Sequence, residues 1–422
     1  MEKFCVQGGA SLKGEVRMSG SKNSAASIIP AAILTNEDCV VKNVPQIEDV
    51  LGLLEIMEKM GAKIKWRSSS EVLINASGID PDKIDFELVA RSRMSLLVTG
   101  ALLSRFGKVV FVKPGGCSIG SRPIATHLKA LERFGAKKKI TADRISFESI
   151  GSLKASKIIL GEMSVTATEN TLLAAALIPG TTEIHQAALE PHVQELAKVL
   201  TGMGAVTEFG VSHQIKITGQ EKLSGFEHTL IADPIEVGTF IVASAITGGE
   251  VFIKGADLSV LELETLKFKE AGVKMKVEKD GVLIKPSLNL KAVGKVQALP
   301  YPGFSSDLLA PFAVLMTQAK GTTLIHEALY EGRLRNYIPE LQRMGANTLI
   351  CDPHRAVITG KTDLVGQPMI SFDLRAGATL ILAALIAEGE SSIENISQID
   401  RGYEKIDQKL RGLGAKIKRV SE

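Results

Sequence analysis

The residues best suited to chemistry lie in one short stretch, residues 114–123, Pro-Gly-Gly-Cys-Ser-Ile-Gly-Ser-Arg-Pro. Gly115 and Gly116 allow a positive φ and leave backbone N–H groups uncovered, Cys117 offers a titratable sulfur, and Arg122 adds a permanent cation. Such a loop suits an anion with a proton donor beside it. For an arbitrary Gly-Gly-Cys, a surface turn with a buried, inert cysteine is the simpler reading. What favours the first is a second set of charges. Lys22 with Asn23, Arg91 with Arg93, Asp233 with Glu236, Ser306 with Asp307, and Asp373 with Arg375 each stand just before an apolar segment, and Arg401 follows in a later turn. Where those segments are helices, the unpaired N–H groups at their starts favour bound anions. An anionic substrate held by several cations is the consequence.

The elements that must position these groups recur. A short amphipathic helix that ends in glycine and runs into a strand is predicted over residues 54–66, 128–140, 196–209, 263–277, 338–350 and 406–420. The glycines are Gly61, Gly135, Gly204, Gly272, Gly345 and Gly414, each at a helix C′ position that needs a left-handed backbone. Before each of these helices comes a helix rich in alanine, glycine and other small or apolar residues, then a turn and a strand, starting near Ser24, Ser95, Ala167, Glu236, Asp307 and Ala376. Helices this apolar must be buried almost all round, so each unit places one helix inside and one outside. The period of roughly seventy residues exceeds that of ordinary solenoids and suits six βαβ-type units, three per domain. No Pro/Ser-rich linker marks the boundary, and the repeat count places it near residues 230–233.

Composition narrows the class. At 422 residues the chain is too long for one ordinary core, and two domains are expected. Fifty Lys+Arg against 47 Asp+Glu, with the signs interspersed, give a net charge of +3 and demand no nucleic-acid or membrane partner. The N-terminal MEKFCVQGG lacks the apolar core of a signal peptide, and the apolar runs are too short to cross a bilayer. A cytoplasmic protein, expected as a monomer, follows. Cys5, Cys39, Cys117 and Cys351 are widely spaced, with no CxxC pair and no clustered histidines, so neither a disulfide framework nor a zinc site is expected. No metal and no cofactor are expected, because Walker, Rossmann and zinc patterns are all missing from the sequence.

At this point the residues spell a family. The sequence resembles the UDP-N-acetylglucosamine enolpyruvyl transferases over essentially its whole length, through Ser19-Gly20-Ser21-Lys22-Asn23, residues 115–123 with His127, Ser164-Val165, Asp233 with Glu236, residues 304–307, Glu331 with Arg333, Asp373-Leu374-Arg375, and residues 399–404. The resemblance implies an α/β fold, a two-domain inside-out α/β barrel, with one domain at 22–231 and the other formed by 1–21 and 232–422. It puts the active site in the cleft between them. It implies transfer of the enolpyruvyl group of phosphoenolpyruvate to the 3-hydroxyl of UDP-N-acetylglucosamine, through a tetrahedral ketal that expels phosphate. That is the first committed step of peptidoglycan precursor synthesis, and such enzymes are targets of the epoxide fosfomycin.

Carried over by position, the resemblance has Lys22, Arg122 and Arg401 hold phosphoenolpyruvate. Cys117 serves as general acid at C3 or in product release, and Asp307 as the base towards the sugar hydroxyl. Asn23, Arg93, Ser164, Val165, Leu329 and the 122–127 segment (Arg122, Pro123, Ile124, Ala125, Thr126, His127) contact the nucleotide sugar, while Asp233, Glu236, Arg333, Asp373 and Arg375 line the site. The competing reading of Asp307 is a helix N-cap, and on it Asp307→Asn would keep the wild-type melting temperature. Four positions depart from the family's usual residues: Ala125 for an aspartate facing uracil, Glu162 for a lysine, Pro234 for an arginine and Gly332 for an asparagine.

Three rival functions can be weighed. The sister enzymes acting on shikimate 3-phosphate share the six-unit fold but are not expected to carry the cysteine loop or the Lys22-Asn23 pair. A cysteine hydrolase pairing Cys117 with His127 lacks an orienting third group. An idle nucleotide-sugar-binding paralogue is suggested by Ala125 and Glu162.

Overall fold

The computed structural model describes residues 2–112, 115 and 119–421, and divides into two compact units. Six helices organise them: α1 (Lys22–Ala31), α2 (Val98–Phe106), α3 (Val165–Ala176), α4 (Pro234–Ile246), α5 (Ser306–Thr317) and α6 (Leu374–Ile386). Their small and apolar residues leave no polar face to present to water, so burial follows from composition. In α3 every residue from Ala167 to Ala176 is buried, and in α6 every residue from Leu374 to Leu385. Within one unit α1, α2 and α3 pack on one another, and within the other α4, α5 and α6 do.

Around each set lie three sheets, and the amphipathic helices alternate with them on the outside. Glu48–Lys59, for example, buries Val50, Leu53, Leu54, Ile56 and Met57 while its opposite face stays exposed. The six glycines that end these outer helices, Gly61, Gly135, Gly204, Gly272, Gly345 and Gly414, have φ of 109°, 96°, 118°, 88°, 99° and 97°. All six occupy the left-handed region that the sequence requires of them. Helices inside and sheets outside make each unit an inside-out α/β assembly, but its sheets stay separate: hydrogen bonding joins no two of them into a closed barrel among the described residues.

Three repeats are plain βαβ units: Lys157–Ile159 and Gly180–His185 flank α3, Lys295–Gln297 and Gly321–His326 flank α5, and Pro368–Ile370 and Glu390–Glu394 flank α6, each pair parallel. Two repeats exchange their leading strands. Lys13–Arg17, just before α1, pairs with Glu250–Lys254 after α4, and Glu227–Thr229, just before α4, pairs with Asp38–Lys42 after α1. This exchange explains why no linker composition marks the boundary: the connections are themselves strands and helix caps. The remaining repeat departs from the βαβ pattern. Ahead of α2 the chain forms helical turns at Phe86–Arg91 and Arg93–Leu97, and its sheet has only three strands. Asp85 caps the first turn and Ser92 the second, local signals that outweigh strand formation there.

The unit containing 232–422 also takes the N-terminal strand Glu2–Gln7, which pairs with Glu390–Glu394 and Lys416–Ser421. It further takes residues 119–121, where Ile119 accepts from the Gly332 N–H at 3.1 Å and the Ser121 N–H donates to Glu331 at 3.0 Å. The expectation that the whole cysteine loop belongs with residues 22–231 therefore needs correction at these three residues.

Candidate active site

In the unit of α4, α5 and α6, the centre is Asp307 in the first turn of α5. Ser305 occupies the N-cap position and makes no side-chain capping bond, so Asp307 is not the cap that one reading assigned. Its carboxylate instead accepts from Arg333 Nη1 at 2.6 Å and from Arg375 Nε at 3.0 Å. The arginine side chains are 6% and 4% exposed and the carboxylate 28%, which leaves the anion one open side. Burial alone would raise the Asp307 pKa, but the charges of Arg375 and Arg333 outweigh it and hold the carboxyl well below the usual carboxylate range.

The arginines are fixed from behind. Fully buried Glu327 accepts from Ser306 Oγ and from the backbone N–H groups of Leu329 and Tyr330, and lies 3.9 Å from Arg333 Nε. Arg333 stacks over the Tyr330 ring at 4.9 Å and Arg375 over Tyr403 at 5.2 Å. Arg333 Nε is buried and faces Glu327, and Arg375 lies against Tyr403, so both guanidinium groups are anchored on the side away from Asp307.

Other acidic residues named from the sequence in this unit have structural partners. Asp233 caps α4 through the N–H groups of Ile235 and Glu236, and Pro234 fills the first helical position, where its missing N–H is harmless. Asp373 caps α6 through Arg375 and Ala376, and its second oxygen accepts from Asn336 at 2.5 Å. Glu236 is buried, which raises its pKa against the opposing charge of Lys409, and it accepts from the Ser19 N–H at 2.8 Å. Lys409 also donates to Ser19 Oγ at 2.8 Å. Arg401 donates to Gln398 at 3.1 Å, and Leu329 is 39% exposed.

In the unit of α1, α2 and α3, Lys22 is the first residue of α1, directly after the cap Ser21. Its ammonium lies 2.6 Å from Asp49, and both groups are almost wholly buried. Asn23 follows on the same first turn and is half-buried. Arg93 donates to the Arg122 carbonyl at 2.7 Å and the Pro123 carbonyl at 3.4 Å, so it orders backbone as well as bearing charge. The helix Ala125–Glu132 begins there with Ile124 at an uncapped N-terminus, and half-buried Arg122 and exposed Pro123 and Ala125 surround its start. Thr126 Oγ donates to Glu162 at 3.1 Å, the Ser164 N–H donates to the Glu162 carbonyl at 2.7 Å, and Ser164 caps α3, whose first residue is Val165. Arg93, the 122–126 segment, Glu162 and Ser164 thus form one locality.

His127 belongs behind that locality rather than on its surface. It is 1% exposed, its Nε2 pairs with Thr166 at 3.0 Å, and its Nδ1 pairs with Asn170 at 3.1 Å. Burial, assisted by the Arg93 charge, pushes its pKa down to about 3, so it is neutral and already hydrogen-bonded on both sides. His127 therefore packs behind the locality, with both ring nitrogens engaged.

Cys117 lies outside the described residues. Of the other cysteines, Cys39 is buried and its thiol is pushed up to about 12, Cys5 is half-buried and Cys351 is exposed. Among the described residues no three His, Cys, Asp or Glu side chains cluster closely enough to hold a metal ion, and no helix is long and apolar enough to cross a membrane. The sequence reading missed Asp49, Glu327, Asn336 and Lys409. Each is recognisable only by its partner in space, and no local spacing marks it.

The family profile described as EPSP synthase (3-phosphoshikimate 1-carboxyvinyltransferase) matches residues 6–410. Among relatives, a UDP-N-acetylglucosamine 1-carboxyvinyltransferase of Koribacter versatilis is 41% identical, covering 100% of this chain and 97% of its own length. One of Acinetobacter guillouiae is also 41% identical, over 100% of both chains. Among solved structures, the enolpyruvyl transferase NikO of Streptomyces tendae superposes with a TM-score of 0.91 at 28% identity, covering 100% of this chain and 99% of that one. EPSP synthase of Acinetobacter baumannii gives 0.79 at 20% identity, with full coverage of both chains, a likeness of fold.

Proposed function

The chain belongs to the EPSP synthase family of 1-carboxyvinyl (enolpyruvyl) transferases, and from that premise we propose that it transfers the enolpyruvyl group of phosphoenolpyruvate to the 3-hydroxyl of UDP-N-acetylglucosamine. The observation that carries this reading is the 40–41% identity over the whole chain to relatives named for that reaction. The retained charges support it. Lys22, Arg122 and Arg401 supply three cations for the carboxylate and phosphate of phosphoenolpyruvate, each charge-assisted contact contributing on the order of 1.5–3 kcal/mol.

Chemically, a proton is delivered to C3 of phosphoenolpyruvate, C2 becomes electrophilic, and the sugar oxygen bonds to it. The hydroxyl proton passes to Asp307. A carboxylate held by two arginines is a weak base towards a neutral hydroxyl, but the hydroxyl becomes strongly acidic as its oxygen bonds to C2, so a stable anion is the appropriate acceptor. Loss of the C3 proton and expulsion of phosphate then restore the double bond. Cys117 is placed at C3 or in product release. The Arg93 to Ser164 locality holds the nucleotide, with the helix start at Ala125 and the α3 start at Val165 turned to phosphate oxygens.

Mass spectrometry of the nucleotide sugar after incubation with phosphoenolpyruvate tests this. The expected product is the enol ether, still carrying uridine diphosphate. Nucleotide sugar bound but recovered unmodified would make the protein an idle binding paralogue.

A further inference from the structure

The four-residue turn Tyr330, Glu331, Gly332 and Arg333 has two ends with different attachments. At one end Arg333 grips Asp307. At the other, residues 119–121 are held at three consecutive positions. The Ile119 side chain is 4% exposed and its carbonyl accepts the Gly332 N–H at 3.1 Å; Gly120 takes φ +122°; and the Ser121 N–H donates to Glu331 Oε1 at 3.0 Å. That N–H holds the Glu331 carboxyl below its ordinary range.

The approach is close enough to exclude side chains. A Cβ on Gly332 would stand 2.9 Å from the Ile119 carbonyl carbon and 3.0 Å from the Gly120 nitrogen, and one on Gly120 would stand 2.8 Å from Glu331 Oε2. Gly332 is required by the backbone of residues 119–120 that a side chain would meet, and Gly120 by its φ of +122°.

Residues 119–121 are preceded in the chain by Cys117 and Ser118 and followed by Arg122. We infer that Glu331 and Gly332 are positioning residues for the transfer reaction, a dock that joins residues 119–121 to the turn whose Arg333 grips Asp307 and so steadies that arginine and its carboxylate. The inference rests on the functional reading above for its kinetic consequence, but the dock itself does not. Glu331 is exposed and Gly332 half-buried, so neither is part of the hydrophobic core, and their replacement leaves global stability unchanged.

The test uses the full-length protein and three variants, Glu331→Ala, Glu331→Gln and Gly332→Ala, with two readouts: hydrogen exchange of the Ser121 amide, and kcat and KM for phosphoenolpyruvate. Glu331→Ala and Gly332→Ala speed Ser121 exchange and lower kcat by about tenfold or more, since small misplacements of reacting groups have effects of that size. Glu331→Gln keeps exchange and kcat near wild type, because its amide oxygen accepts the same N–H. Melting temperatures stay together. Wild-type exchange in both alanine variants would show that no dock exists, and faster exchange with unchanged kcat would show that the dock does not position the reaction; either overturns the inference. Exchange that responds as expected in a wild-type protein that turns over nothing would instead overturn the functional reading and leave the dock standing.

Discussion

Asp307 shows how a single residue changes meaning once its neighbours are known. From the sequence it is either a cap or a base; in the structure it is neither a cap nor free, but the shared counter-ion of two buried arginines. Asp307→Asn therefore removes the charge that compensates Arg333 and Arg375, and the expectation of an unchanged melting temperature fails. Loss of about 2 kcal/mol follows, less than the ~3–5 kcal/mol of a fully buried pair because the carboxylate is 28% exposed. Turnover falls at least a hundredfold on the general-base scale of ~10²–10⁴. Thermal melts and steady-state rates on one preparation check both; full activity would move the base elsewhere. A second prediction concerns thiols. A phosphoenolpyruvate-like epoxide such as fosfomycin should alkylate Cys117 ahead of exposed Cys351, because the reagent mimics the substrate that the proposed function brings to Cys117. Peptide mapping that finds Cys351 modified first would contradict the assignment of Cys117.

At the scale of elements, the period of the outer helices and their glycines was legible because both signals are local: apolar spacing of 3.6 and a residue that tolerates positive φ. The helical turns before α2 were not, since Asp85 and Ser92 act through caps that a repeat-based reading averages away. The Lys22–Asp49 and Arg333–Glu327 pairs were hidden for another reason: charge pairing across packed elements leaves no spacing rule in the chain. One buried acid in α3 gives a testable consequence. Glu169 is 1% exposed, its Oε1 has no hydrogen-bond partner, and His192 stands 3.8 Å away. Burial, then repulsion from Glu190, raise its pKa well above the usual value, against a hydrogen bond from Ser27. An acid whose folded pKa is raised leaves stability intact below its unfolded pKa and drains it as pH rises towards the folded value. Glu169→Gln, uncharged at every pH, should thus melt above wild type by a margin that widens from pH 5 to pH 8. A margin that narrows over that interval would reverse the sign assigned to this group.

For the whole molecule, six repeats build two units whose boundary is set by exchanged strands, and that exchange could be found only from pairing, since Lys13–Arg17 and Glu227–Thr229 look like any other short strands in sequence. Each unit brings its own polar and charged set to the starts of buried helices: Lys22 at α1 and Ser164 at α3 in one, Asp307 at α5 and Arg375 at α6 in the other. The central claim is that these sets serve enolpyruvyl transfer to a nucleotide sugar. Phosphate release from phosphoenolpyruvate tests it most directly, measured with UDP-N-acetylglucosamine, with shikimate 3-phosphate, and with no acceptor. The account predicts release that depends on UDP-N-acetylglucosamine and matches its consumption mole for mole, with the other two mixtures at background. Equal release with shikimate 3-phosphate, or none with the nucleotide sugar, would contradict it.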